Sequence, residues 1–109
     1  MSILFYDHLV NKNDIHKQLD NLELPEDNKN KFKIMVDEIL HAGIVEFLLQ
    51  KLHPHHHHNF LSQLERAPYD PELLTYLKQY ADDKIEEGIE KESQRIINLV
   101  LKDIRSSLK

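Results

Sequence analysis

The chain has 109 residues, with 14 Lys and Arg against 19 Asp and Glu, and a formal net charge of −5 at pH 7. It contains no cysteine, which excludes a disulfide scaffold, a thiolate metal site and a cysteine nucleophile. No apolar run reaches the roughly 18–20 residues of a membrane helix, and no basic stripe is available for phosphates, so we expect neither a membrane nor a nucleic acid as a partner.

The beginning of the chain lacks the pattern of a signal peptide, which together with the absence of cysteine favours a cytoplasmic location. Residues 1–12 are rich in apolar side chains, namely Ile3, Leu4, Phe5, Tyr6, Leu9 and Val10. They form either a helical turn packed on the core or an apolar N-terminal arm that finds a partner. Asn13 or Asp14 then caps a short helix, whose apolar residues are Ile15, Leu19 and Leu22.

A long central helix is predicted at about residues 25–52. Pro25 suits a first helical position, and the acidic side chains of Glu26 and Asp27 follow at the positive end of the helix dipole. The residues that recur at helical spacing are Phe32, Met35, Val36, Ile39, Leu40, Gly43, Phe47 and Leu48. Further apolar residues widen this stripe to more than half of the helix surface, so neighbours are expected on several sides.

Two residues of this helix, Ile39 and Phe47, are predicted to lie in the core. Gly43 is unfavourable inside a helix by about 1 kcal/mol relative to alanine. It therefore predicts either the close approach of a neighbouring helix or a kink.

Shorter helices follow the central one. The residue before a proline is pushed out of the α region, so His53 ends the central helix and Pro54 opens a helix that reaches Arg66. The apolar residues of this helix are Phe60, Leu61 and Leu64. Asp70 and Pro71 mark the next helix start, before a face formed by Leu73, Leu74, Leu77, Tyr80 and Ala81.

A long amphipathic C-terminal helix is predicted at about residues 83–107, capped by Asp82 or Asp83. Its apolar residues are Ile85, Ile89, Ile96, Ile97, Val100, Leu101, Ile104 and Leu108. The pattern leaves open whether residues 71–107 form one helix or two. Three tyrosines in this half of the chain are expected to lie at the edge of the core: Tyr69, Tyr76 and Tyr80.

These elements predict an all-α fold, in which one domain over residues 1–109 forms a compact bundle of four to six helices around the central helix. The order of motifs resembles a family of small all-helical bacterial proteins classed as a domain of unknown function. The resemblance covers roughly residues 15–104, and the motifs that carry it are Leu22-Glu23-Leu24-Pro25-Glu26 and Asp70-Pro71-Glu72-Leu73-Leu74-Thr75-Tyr76-Leu77. That family has no assigned activity, so the resemblance implies the fold and no site residue.

One segment stands out by composition, because five histidines occur within six positions: His53, His55, His56, His57 and His58. Members of the family tend to open this helix with Ser, Thr and acids, so a histidine-based function would be particular to this chain. Crowding and the positive end of the helix both favour neutral rings, and neutral imidazole binds Zn, Ni, Cu or Co.

These five histidines are therefore the candidate metal ligands. His55 and His58 share a helix face, and a third ligand must come from elsewhere, such as His41, Glu46 or Glu38. Two alternatives remain open: surface histidines that cap the helix with adventitious metal affinity, and a pH-sensitive interface.

No catalytic motif accompanies this cluster. The serines lack the strand-to-helix elbow of a nucleophile, and adjacent acids such as Asp37 and Glu38 diverge by about 100° on a helix. We therefore expect no enzyme, no catalytic residue and no cofactor other than a transition metal at the histidines.

The leading functional hypothesis is a small non-enzymatic interaction or regulatory module that binds a protein partner or itself. Its basis is the excess of apolar surface on the central and last helices. The alternative is a metal-binding protein that uses the cluster His53–His58.

Overall fold

The computed structural model describes residues 4–10 and 12–107, and in these ranges it contains helices and no strand. A 3₁₀ turn at Asp7–Leu9 precedes five α-helices: α1 (Lys12–Asp20), α2 (Glu26–Lys51), α3 (Pro54–Arg66), α4 (Glu72–Tyr80) and α5 (Ile85–Ser107). The predicted all-α bundle is confirmed. The bounds predicted for the two long helices agree with α2 and α5 to within two residues.

Helices α2 and α5 pack against each other in antiparallel orientation. Gly43 of α2 faces Ile96, and Phe47, one turn later on α2, faces Gly88, which comes two turns earlier on α5. A Cβ atom added to Gly43 would lie 2.6 Å from Cδ1 of Ile96, and one added to Gly88 would lie 2.9 Å from Cζ of Phe47. Both glycines of the chain thus mark a close approach of the two helices, as predicted for Gly43.

The shorter elements pack around this pair. Helix α1 packs on α2, α4 packs on α5 and on α3, and the 3₁₀ turn contacts α5. The segment before α1 is fixed to the core, since Phe5 and Tyr6 are buried and the Phe5 N–H donates to the carbonyl of Pro68 at 2.8 Å. Of the two alternatives for the N-terminal segment, residues 4–10 therefore form the turn that packs on the core and not an arm that waits for a partner. Ile3 lies outside the described residues.

The core of α2 is a stripe at four-residue spacing, formed by Val36, Leu40, Ile44 and Leu48. The core prediction for Ile39 is wrong, because this side chain is 42% exposed. Phe47 is half-buried and packs against the core. Apolar side chains lie on more than one face of α2, since Ile34, Met35 and Ile39 are exposed, so periodicity alone could not decide which stripe the other helices would cover.

The last helix contributes more core residues than any other helix. Its buried apolar side chains are Ile85, Ile89, Ile96, Ile97, Leu101 and Ile104, as predicted, while Val100 is half-buried. Leu108 lies outside the described residues.

The starts of α4 and α5 each come just after an aspartate whose side chain accepts a hydrogen bond from the backbone. The Asp70 carboxylate accepts from the Glu72 N–H at 3.0 Å, and the Asp82 carboxylate accepts from the Lys84 N–H at 2.9 Å. The chain therefore breaks between α4 and α5, which settles the open boundary. At the other end, α1 begins at Lys12, so the predicted caps Asn13 and Asp14 lie within its first turn. The residues at the start of α1 are all polar, so the sequence pattern does not show which of them is the cap.

Three side chains expected on apolar faces or at the core edge are exposed: Leu61 at 40%, Tyr69 at 64% and Tyr80 at 43%. Each belongs to the part of the chain that forms α3, α4 and the loop between them. Among the described residues, no helix combines the length and apolarity that crossing a membrane requires.

Candidate functional site

The histidine cluster begins at the N-terminus of α3, where His53 is the N-cap residue. Its Nδ1 atom accepts from the backbone N–H of His55 at 3.4 Å and lies 2.6 Å from Nδ1 of the His55 ring. Because His53 Nδ1 is the acceptor, the His55 ring donates its Nδ1 proton. His53 thus caps α3, which was one of the roles left open for these histidines, and the structure pairs His55 with His53.

His57 caps the preceding helix instead. Its Nε2 atom lies 2.6 Å from the carbonyl oxygen of Leu49 and 3.0 Å from that of Leu52. Carbonyl oxygens only accept, so Nε2 carries the proton and donates to both. The last carbonyls of an α-helix have no partner within the helix, and His57 supplies one where α2 ends.

His56 points toward α4. Its Nδ1 atom lies 3.0 Å from the hydroxyl of Tyr76, and its ring centroid is 4.5 Å from that of Tyr80. Desolvation lowers the pKa of His56 below its ordinary value of 6.5, and the neighbouring charges of His55 and His53 lower it further. The sequence pattern did not reveal these tyrosine contacts, since Tyr76 lies 20 positions away on another helix.

The five histidines are therefore divided among different contacts, while His58 is exposed. In residues 4–10 and 12–107, no three His, Asp or Glu side chains are placed to hold a metal ion together. Of the suggested third ligands, His41 has its Nδ1 atom 2.6 Å from the Tyr6 hydroxyl. It also lies ten residues before the end of α2, about 15 Å along the helix axis, and Glu38 lies farther still.

A second feature is an open groove between α2 and α5, with a volume of about 630 Å³. We call it the α2·α5 groove, and its apolar side chains are Ile39, Phe47, Ile96, Leu99 and Val100. Ile39 and Leu99 are 42% and 49% exposed. The contacts at Gly43 and Gly88 bring α2 and α5 close together at the base of the groove. Its lining residues belong to these two helices, and none belongs to a shorter helix.

The groove continues toward the C-terminal end of α2 as a smaller cleft of about 270 Å³, which shares Phe47, Glu92 and Arg95 with it. The larger part is lined by two further acids, Glu46 and Asp103. They lie apart, because Glu46 is next to Phe47 at the level of Lys91, whereas Asp103 is twelve residues farther along α5, about 18 Å.

The smaller cleft carries the opposite charge. It is lined by Lys51, Lys84 and Lys91 against a single further acid, Asp82, which gives a net charge of +2. We call this part the basic end. Of the shared residues, Glu92 and Arg95 neutralise each other, and the Arg95 Nε atom donates to Glu92 at 2.9 Å. The smaller cleft is thus basic, whereas the two acids of the larger part lie at separate places along it.

The chain was compared with family models, with curated proteins and with solved structures, and none of them matches it. The resemblance to a family of bacterial helical proteins therefore stays a prediction. The functional interpretation depends on the geometry of the two sites alone.

Sequence reasoning found the histidines but missed the groove. The apolar excess on α2 and α5 was visible, yet it identified no surface, because Ile39 was assigned to the core. The charged residues of the groove come from two helices and from the loop before α5, so their arrangement emerges only once the antiparallel register is fixed.

Proposed function

We propose that this protein is a small non-enzymatic helical interaction module that binds a protein partner in the α2·α5 groove. The observation that carries this proposal is the exposure of Ile39 and Leu99 on opposite walls of one groove. Single exposed apolar residues are ordinary, but an apolar surface rimmed by charged residues is typical of protein interaction sites.

The shape of the groove suits a helical partner. Two packed helices have axes about 8–10 Å apart, so a third helix can lie in the depression between them. An amphipathic helix docks in such grooves through apolar anchors at three- and four-residue spacing. Met35 lies one turn before Ile39 on α2 and is also exposed, so it extends the apolar face of the groove by one turn.

Photocrosslinking tests this proposal in cells that naturally produce the protein. A photoreactive benzoylphenylalanine replaces Leu99 in the groove or, as a matched control, Leu61, an exposed leucine on α3. We expect a covalent protein adduct from position 99 and none from position 61. Equal yields at the two positions, or no adduct at either, would contradict an interaction site in the groove.

A metal-binding protein is the second candidate, and the observation that favours it is the pair His53 and His55. Both rings are exposed and their Nδ1 atoms lie 2.6 Å apart with a proton between them, so a cation would displace this proton and turn the rings apart. Further ligands would have to come from water or another molecule, since stable sites need three or four.

Native mass spectrometry of untagged protein, purified without nickel resin, tests the metal candidate. Bound zinc, nickel or copper that is lost in the double variant His53→Gln/His55→Gln would support it. The variant His58→Gln serves as the control and should retain the metal. Metal-free protein with zinc affinity weaker than about 10 µM would remove the candidate, because adventitious surface histidines bind this weakly.

A further inference from the structure

We propose that the α2·α5 groove binds an amphipathic helix of another protein, and that this helix carries acidic residues at one end of its apolar face. This inference rests on the proposed function and names the chemistry of the partner. Three features of the groove support it: the lysines of the basic end, the acids beside them, and the distance from these lysines to the exposed apolar side chains.

The lysines of the basic end are exposed and have no carboxylate partner. In the part of the chain that the structure describes, the ammonium groups of Lys51, Lys84 and Lys91 form no ion pair. The Lys51 Nζ atom instead lies 5.6 Å from the centroid of the Phe47 ring. Three such cations around one cleft stand out in a chain whose net charge is −5.

The two acids that line the basic end are engaged within the chain. The Asp82 carboxylate accepts from the backbone N–H of Lys84 at 2.9 Å, and Glu92 accepts from Arg95 at 2.9 Å. Because Glu92 is paired with Arg95, only Asp82 offsets the charges of the three lysines. The remaining positive charge favours a partner that brings carboxylates, since the charges of two interacting surfaces are complementary.

Glu46 restricts where these carboxylates can lie. It is on α2, at the level of Lys91 on the opposite wall, so it offsets part of the charge of that lysine. A partner carboxylate beside Glu46 would also be repelled. The favourable position therefore lies farther along the groove, between Lys51 at the end of α2 and Lys84 just before α5.

The exposed apolar side chains lie at a fixed distance from this position. Ile39 comes twelve residues before Lys51 on α2, about 18 Å along the helix axis, and Leu99 lines the other wall of the groove. A docked helix has the same rise per residue, so its acids should lie about twelve residues from its first apolar anchor. The partner segment is therefore a helix of at least about four turns.

Binding of designed peptides to the full chain, measured by fluorescence anisotropy, tests the inference. The acidic peptide is a helix of about 20 residues with leucines at three- and four-residue spacing and a pair of glutamates about twelve residues from the first leucine. The basic peptide has lysines in place of the glutamates. We expect the acidic peptide to bind at about 1–100 µM, as small transient interfaces do, and the basic peptide to bind at least about 10-fold more weakly.

Reversal of the basic end is the decisive comparison. The variant Lys51→Glu/Lys84→Glu should prefer the basic peptide, because like charges now repel the acidic one. The control Lys17→Glu/Lys31→Glu changes the net charge equally at exposed lysines outside the groove and should keep the wild-type preference. Circular dichroism establishes that both variants are folded. Equal affinity of the two peptides for wild type, or no binding of the acidic peptide up to about 1 mM, would overturn the inference.

Photocrosslinking from position 99 separates this inference from the proposed function. We expect the protein adduct to be lost in Lys51→Glu/Lys84→Glu and retained in Lys17→Glu/Lys31→Glu. An adduct that forms equally in both variants overturns the acidic helix but leaves the interaction module standing, as does an adduct with the mass of a second copy. The absence of any adduct without these substitutions overturns the module and the inference together.

Discussion

Ile39 and Ile44 are five positions apart on α2 and have opposite surroundings. Ile44 is fully buried, whereas Ile39 is 42% exposed in the groove. Replacement of Ile44 by alanine should cost about 2–5 kcal/mol of unfolding free energy, because the surrounding core cannot close the cavity. Ile39→Ala should cost less than about 1 kcal/mol.

Urea denaturation at low protein concentration, where association does not contribute, measures both changes. Equal losses would show that the wrong side of α2 has been assigned to the core. A large loss for Ile39→Ala that appears only at high concentration would instead place this residue in an interface between copies of the chain.

The sequence shows which positions on α2 are apolar, but it does not show which of them are buried and which are exposed. Periodicity placed Val36, Leu40 and Leu48 correctly in the core, yet it treated Ile39 and Met35 in the same way. These side chains are chemically alike, and what distinguishes them is which side of α2 the other helices cover. That information is tertiary, so no single residue on α2 carries it.

The start of α3 contacts α4 through His56, and this contact predicts a pH dependence. Desolvation, followed by the charges of His55 and His53, lowers the pKa of His56 in the folded state. The unfolded ring, with a pKa near 6.5, then binds more protons than the folded ring. This contribution to stability is fully present above pH 6.5 and is lost as the pH falls through the folded pKa.

The variant His56→Gln should therefore show a flatter decline of unfolding free energy between about pH 7 and pH 5 than wild type. The exposed residue His58 provides the control, since His58→Gln should keep the wild-type slope. Chemical denaturation at a series of pH values measures both. Parallel curves for wild type and His56→Gln would show that protonation of this ring is not linked to folding.

At the scale of elements, the start of α3 was the most predictable part of the histidine site. Proline and the N-cap position specify a local structure, so His53 and Pro54 could be placed from sequence alone. The contacts of His57 with α2 and of His56 with α4 could not, because they depend on how neighbouring helices fold back. The histidines consequently make several separate structural contacts, whereas the sequence suggested that they bind one metal ion together.

At the scale of the whole molecule, the order of the helices and the bounds of the two long ones followed from prolines, acidic first turns and apolar spacing. The pairing of α2 with α5 was not predicted, although Gly43 indicated either a close helix or a kink. Local signals fix where a helix begins and ends, whereas the choice of neighbour depends on burial summed over the chain. The groove and the arrangement of its charges exist only after that choice.

The two glycine contacts also restrict how α2 and α5 can move. Any axial slip would require Ile96 to leave Gly43 and Phe47 to leave Gly88 at the same time. A slip of one turn, about 5.4 Å, would place Phe47 against Lys84 or Glu92, whose side chains would occupy the space that Gly88 leaves open. The shape of the groove is therefore set before any partner arrives, and a preorganised surface of this kind binds with a smaller entropic penalty for ordering its backbone.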